Sequence, residues 1–183
     1  MSSLNEQLEI LREDLTSDPM RISAYHDLPF ARFRYDPEEE YECRKCLRLL
    51  AAKLSQTHSR RVTFISLAQL VWAAINTTCG LKAIVELERD RDFEAAQQTV
   101  HNILAKPNFA PLADSLLARL KPLDPAHDIV FLVRTGVLAP AIYSCATLLN
   151  ELHGKTMIPI VLFYPGTADG RSNVRFMNIP GRD

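Results

Sequence analysis

The chain has 183 residues, 47% hydrophobic and 23% charged, the make-up of a domain with a core rather than of a disordered, collagen-like or coiled-coil chain. Lys and Arg number 21 against 22 Asp and Glu, a net charge of −1, and the balance is also local: 10 basic against 11 acidic in residues 1–61, 5 against 6 in 62–120, 6 against 5 in 121–183. That excludes a basic arm and an acidic tail, and argues against direct nucleic-acid binding by the isolated chain, since such affinity comes from clustered Lys and Arg.

The opening segment, 3–16, places Leu4, Leu8, Leu11 and Leu15 at helical spacing, and Ser17-Asp18-Pro19 stops it. Residues 28–35 (LPFARFRY) alternate and read as a first strand. Asp36-Pro37-Glu38-Glu39 then announces a helix: Asp36 as cap, Pro37 at the first helical position, Glu39 three residues on, and acids at the positive end of the helix dipole. The helix is expected to run to about Leu54, burying Leu47, Leu50 and Leu54. Residues 62–65 (VTFI) form a short second strand.

Four helices are expected at about 66–78, 80–91, 93–105 and 109–120, divided by Gly80, Asp90–Asp92 and Lys106–Asn108. Residues 129–133 (IVFLV) are a continuous apolar strand, followed by Arg134-Thr135-Gly136 and an apolar helix from about Ala139 to His153. A second apolar run, 158–164, ends at Pro165-Gly166; a turn at 167–172 leads to an edge strand or hairpin arm at 173–177. Strands apolar on both faces and joined by a helix imply a parallel sheet covered on both sides. The expected fold is therefore α/β: one domain with a mainly parallel sheet of four or five strands, flanked by helices, with a helical insertion between the second and third strands. Its parts divide as 1–27 (helix and connection), 28–65 (two strands and the helix between), 66–126 (insertion) and 127–183 (strand, helix, strand and edge hairpin).

The N-terminus lacks the apolar core of a signal peptide, and the longest apolar stretches are interrupted before the roughly 20 residues a spanning helix needs. A cytoplasmic protein is expected. Cys43 and Cys46 form a C-x-x-C inside a helical pattern, without the second ligand pair of a zinc site, and Cys79 and Cys145 stand apart. All four are expected to be free thiols in a reducing compartment.

In an open parallel sheet the ligand crevice lies beyond the carboxyl ends of the strands, here Tyr35-Asp36, Arg134-Thr135-Gly136 and Tyr164-Pro165-Gly166. The chain has neither a G-x-x-x-x-G-K-[ST] loop nor a G-x-G-x-x-G turn, no G-x-S-x-G elbow and no H-E-x-x-H pair. Neither an enzyme nor a cofactor or metal is expected. The alternative is a degenerate or cryptic nucleotide-binding α/β domain acting as a sensor or regulator.

Two blocks carry a family resemblance. One is Tyr35-Asp36-Pro37-Glu38-Glu39-Glu40-Tyr41-Glu42-Cys43-Arg44. The other runs from Arg134-Thr135-Gly136 through Leu148-Leu149-Asn150 and Pro159–Gly166 to Asp169-Gly170-Arg171-Ser172 and Val174–Met177. In order and approximate spacing they resemble the BrxB family of the BREX bacteriophage-exclusion systems. The resemblance implies a small cytoplasmic, non-enzymatic assembly subunit of an anti-phage complex. Its partners would be other BREX components: the alkaline-phosphatase-fold protein first, the large ATPase or the adenine-specific DNA methyltransferase after it. Members of the family usually continue past the Arg-Phe-Met strand into an aromatic and basic segment, whereas this sequence stops at Asp183: either it is cut short there or a C-terminal element, a strand or a contact, is absent. Partner contacts are expected at Glu38, Glu39, Arg134, Tyr164, Asp169 and Arg171.

Overall fold

The structure is a computed structural model that describes residues 3–23, 29–140, 142–169 and 173–177. Helix α1 (Leu4–Thr16) opens on a capping box: the Ser3 hydroxyl accepts from the Glu6 amide while the Glu6 carboxylate accepts from the Ser3 amide. Strand β1 (Phe30–Tyr35) leads into a 3₁₀ turn at Pro37–Glu39 and then α2 (Glu40–His58). Asp36 caps that turn by accepting from the Glu38 amide at 3.0 Å. The helix outruns its expected end and stops where Ser59 turns left-handed.

Strand β2 (Arg61–Ser66) is followed by α3 (Leu67–Thr78), α4 (Leu81–Asp90), α5 (Phe93–Ala105) and α6 (Leu112–Leu120) before β3 (Asp128–Val133). A 3₁₀ turn at Thr135–Leu138, helix α7 (Cys145–Leu152), β4 (Ile160–Asp169) and β5 (Asn173–Phe176) complete the described residues. Among these no single helix is long and apolar enough to cross a membrane.

The first four strands form a parallel sheet in the order β1-β4-β3-β2, and β5 pairs antiparallel with the outer half of β4. The connection from β1 to β2 runs across the sheet one way, and those from β2 to β3 and β3 to β4 run back. Right-handed crossovers then require helices on opposite faces, and the core divides accordingly. On one face Phe33, Phe131, Val161 and Phe163 pack against α1 and α2 through Leu8, Leu15, Leu47 and Leu54. On the other, Val130, Leu132, Ile160 and Leu162 pack against α3, α5, α6 and α7 through Leu70, Leu104, Leu116 and Leu148. Helix α4 buries none of its side chains.

Two expectations are corrected. The helix expected from Ala139 begins only at Cys145: Ala139 is extended (φ −75°, ψ 157°), as a residue before proline prefers, and Ser144 starts the helix by accepting from the Ala146 and Thr147 amides. The strand expected to end at Tyr164 instead continues through Pro165 and Gly166 to Asp169. Proline is tolerated there because β4 is changing partners: Pro165 has no amide to place, while its carbonyl accepts from the Met177 amide at 2.8 Å. Residues 167–169 of the expected turn are thus strand, and Gly170, Arg171 and Ser172 lie outside the described residues.

Candidate functional site at the strand ends

The carboxyl ends of β1, β2 and β3 and the crossing point of β4 open onto one crevice. Its first wall is the start of α2. Tyr35, buried at the end of β1, donates its hydroxyl to the Glu40 carboxylate, and Glu40 also accepts from Arg44 Nε at 2.6 Å. Burial, and then the bond to Glu40, pushes the Tyr35 phenol far above its usual range. The Arg44 guanidinium lies 5.4 Å from the centre of the Tyr41 ring. Arg44 is thus held on one side by a carboxylate that is itself anchored from the core.

The second wall is the exit of β3. Arg134 is exposed and occupies the left-handed region (φ 57°, ψ 40°), which is costly for a side chain with a Cβ. The next residue holds the turn down: the Thr135 hydroxyl donates to the Phe163 carbonyl at 2.7 Å, fully buried. Gly136 keeps the turn thin where the hairpin crosses it, since a methyl there would sit 3.1 Å from Met177 Sδ.

Between these walls lie two adjoining spaces. A mostly apolar one of about 250 Å³ is bounded by Pro37, Val137, Pro165 and Met177. A second, about 330 Å³, runs toward the β2 edge past Leu47, Phe64 and Val133. Arg44 and Arg134 line both, and Arg48 lines the second.

The structure brings only some of the expected contact residues together. Glu38 and Glu39 are exposed on the turn that starts α2, and Arg134 lies on the crevice wall. Tyr164 is 1% exposed; its ring packs 4.8 Å from that of Phe176, and among the described residues its hydroxyl has no hydrogen-bond partner. Asp169 lies in β4 opposite Asn173, and Arg171 lies outside the described residues. Arg44, Arg48 and Phe64 were not expected here. Arg44 and Arg48 share one face of a helix, a signal that reads as solvated surface until strand order sets α2 against the exit of β3.

A second polar cluster sits at the other end of the sheet. Asp128, 3% exposed, accepts from Arg61 Nε at 2.7 Å, Arg61 Nη2 at 2.9 Å and the Asp124 amide at 2.7 Å. Burial pushes its carboxyl up, but the Arg61 and Asp124 hydrogen bonds outweigh that and hold it below its usual value. His127 pairs with Asp124 rather than with its neighbour Asp128, and that bond, with the Ala126 amide, holds the Asp124 carboxyl down too. This cluster pins β2 to β3 far from the crevice. Among the described residues no three His, Cys, Asp or Glu side chains are grouped as metal ligands.

A family model described as "BREX protein BrxB" matches residues 63–183. A relative of the same description, from Bacillus cereus (strain H3081.97), is 26% identical over 183 residues, covering 98% of this chain and 93% of the relative. No solved structure matches the chain.

Proposed function

From the premise that this chain belongs to the BrxB family of BREX phage-defence proteins, we propose that it is a non-enzymatic assembly subunit of a prokaryotic BREX complex, working in the cytoplasm and docking to the alkaline-phosphatase-fold component. One observation carries the reading. Tyr41 is 83% exposed at the start of α2, beside exposed Glu38 and Glu39 and with the Arg44 guanidinium against its ring. A large aromatic in solvent, held in place and ringed by charge, is the composition of an interface anchor rather than of a solvated helix face. The proposed contact surface is this rim together with Arg134, and contacts by Asp169 and Arg171 are proposed with it.

The test is size-exclusion chromatography with light scattering on this protein mixed with the phosphatase-fold protein of its own system. A co-eluting complex of defined mass is expected, weakened at least tenfold by Tyr41→Ala or by Arg134→Glu with Arg171→Glu. Two separate peaks from folded proteins would overturn the docking. Full retention by both variants would remove this rim from the interface.

A further inference from the structure

The walls of the larger strand-end space are unusual for this protein. Arg44, Arg48 and Arg134 all line it, and no carboxylate does. Of the Arg44 nitrogens only Nε reaches the Glu40 carboxylate, and the terminal nitrogens of that guanidinium carry no hydrogen bond among the described residues. Arg48 and Arg134 have no ion-pair partner there. A chain whose charge is balanced in every third of its length has thus gathered three cations of one sign around a single recess.

One general cost and two observations say that the recess is built rather than accidental. Like charges held over low-dielectric walls repel each other and focus their field into the cleft, a cost that an anion relieves. Arg44 is oriented by a chain that starts in the core, Tyr35 to Glu40 to Arg44, and so loses little freedom on binding. Arg134 is kept in a strained left-handed conformation by a turn whose buried Thr135 bond overrides the strain; strain retained in this way belongs with functional positions.

The aromatic side of the recess identifies the ligand. Phe64 is 41% exposed on the edge strand β2, with its inner side fixed edge-on to Phe131 at 5.5 Å, so that it offers a held aromatic surface beside the arginines. A volume of about 330 Å³ is at the small end of ligand pockets. We infer that the recess between α2, β2 and the exit of β3 is a binding site for a mononucleotide, with its phosphates held by Arg44, Arg48 and Arg134 and its base against Phe64. No hydrolysis is implied: binding alone would make the subunit responsive to a nucleotide. The inference does not depend on the docking reading, because it concerns the isolated protein.

Isothermal titration of the full chain with ATP, AMP and inorganic pyrophosphate at low salt tests it. Saturable binding of ATP and AMP is expected, falling at least tenfold in the exposed-helix variant Arg48→Glu and further with Arg134→Glu. Phe64→Ala should weaken ATP and AMP three- to tenfold while leaving pyrophosphate unchanged. Circular dichroism checks that each variant is folded, and the α2 surface variant Arg48→Gln decides the matter should Arg134→Glu unfold. No saturable binding of either nucleotide at millimolar concentration overturns the inference, as does binding that Arg48→Glu and Arg48→Gln leave intact. Equal loss of all three ligands in Phe64→Ala would overturn the assignment of the base.

Discussion

The hydroxyl of Thr135 donates to the carbonyl of Phe163 at 2.7 Å inside the core, tying the turn after β3 to the strand beside it. Both ends of the bond are shut off from water, so removing the donor strands a buried acceptor. Thr135→Val, which keeps the shape, is expected to cost about 1–3 kcal/mol. Urea denaturation would measure it, and a loss below about 0.5 kcal/mol, the usual scale of surface changes, would show that the bond is not holding the turn.

Arg134→Gly separates fold from crevice. Glycine adopts the left-handed region without the Cβ penalty, so the variant is expected to be as stable as the parent or more stable by up to about 1 kcal/mol. The same change removes a guanidinium from the recess. A stability gain together with weaker nucleotide binding would show that the chain carries strain at this position for the sake of the side chain; a clear loss of stability would show that the Arg134 side chain has a packing role.

At the far end of the sheet, Asp128 predicts an acid-sensitive joint. Its carboxyl is held below its usual value in the folded protein, whereas in the unfolded chain it titrates near about 3.9. The ionised form therefore favours folding at neutral pH, and that contribution fades as pH falls through the unfolded value toward the lower folded one. Asp128→Asn is expected to lose about 1–3 kcal/mol at pH 7, the scale of bonds to a charged group, and to lie closer to the parent at pH 3. Denaturation midpoints of the two proteins between pH 7 and 3 test this. A gap that does not narrow on acidification would assign the loss to packing rather than charge.

The cysteines should separate by reactivity. Burial, then the nearby Glu40 charge, pushes the Cys43 thiol up to about 12, and the side chain is 2% exposed. Cys46 is pushed up as well, by burial and then Glu42, while Cys79 is exposed and Cys145 buried. Iodoacetamide at pH 8, read by mass spectrometry, is expected to label Cys79 first and Cys43 only on unfolding, because the thiolate is the reacting form. Rapid labelling of Cys43 in the folded protein would show that the start of α2 opens.

The α/β fold was legible because its signals are local. Apolar runs at 129–133 and 158–164, leucines at helical spacing in α1 and Asp36-Pro37 before α2 each name an element without reference to the rest of the chain. What was missed required context. The apolar pattern from Ala139 reads as helix, but the extended Ala139 before Pro140 moves the start to Ser144. Pro165 looked like a strand end because nothing local shows that β4 exchanges neighbours there. The crevice was half legible: Arg134 follows an apolar strand and could be placed at its end. Arg44 and Arg48 could not, because charge counted along the chain averages to zero while the crevice gathers residues from positions far apart in it.

The pairing of β1 with β4 also constrains the order in which this protein can be completed. Phe30 is in register with Ile160, so among the described residues β1 has its sheet neighbour far along the chain from it. A chain emerging from the ribosome therefore carries β1 without this sheet partner until β4 has been made. Closing that long loop also steadies one wall of the crevice, because Tyr35, which anchors Glu40 and through it Arg44, is the last residue of the strand that docks. A chain stopped before residue 160 would hold all seven described α-helices and three of the four parallel strands, but with β1 and β3 both missing the strand that joins them.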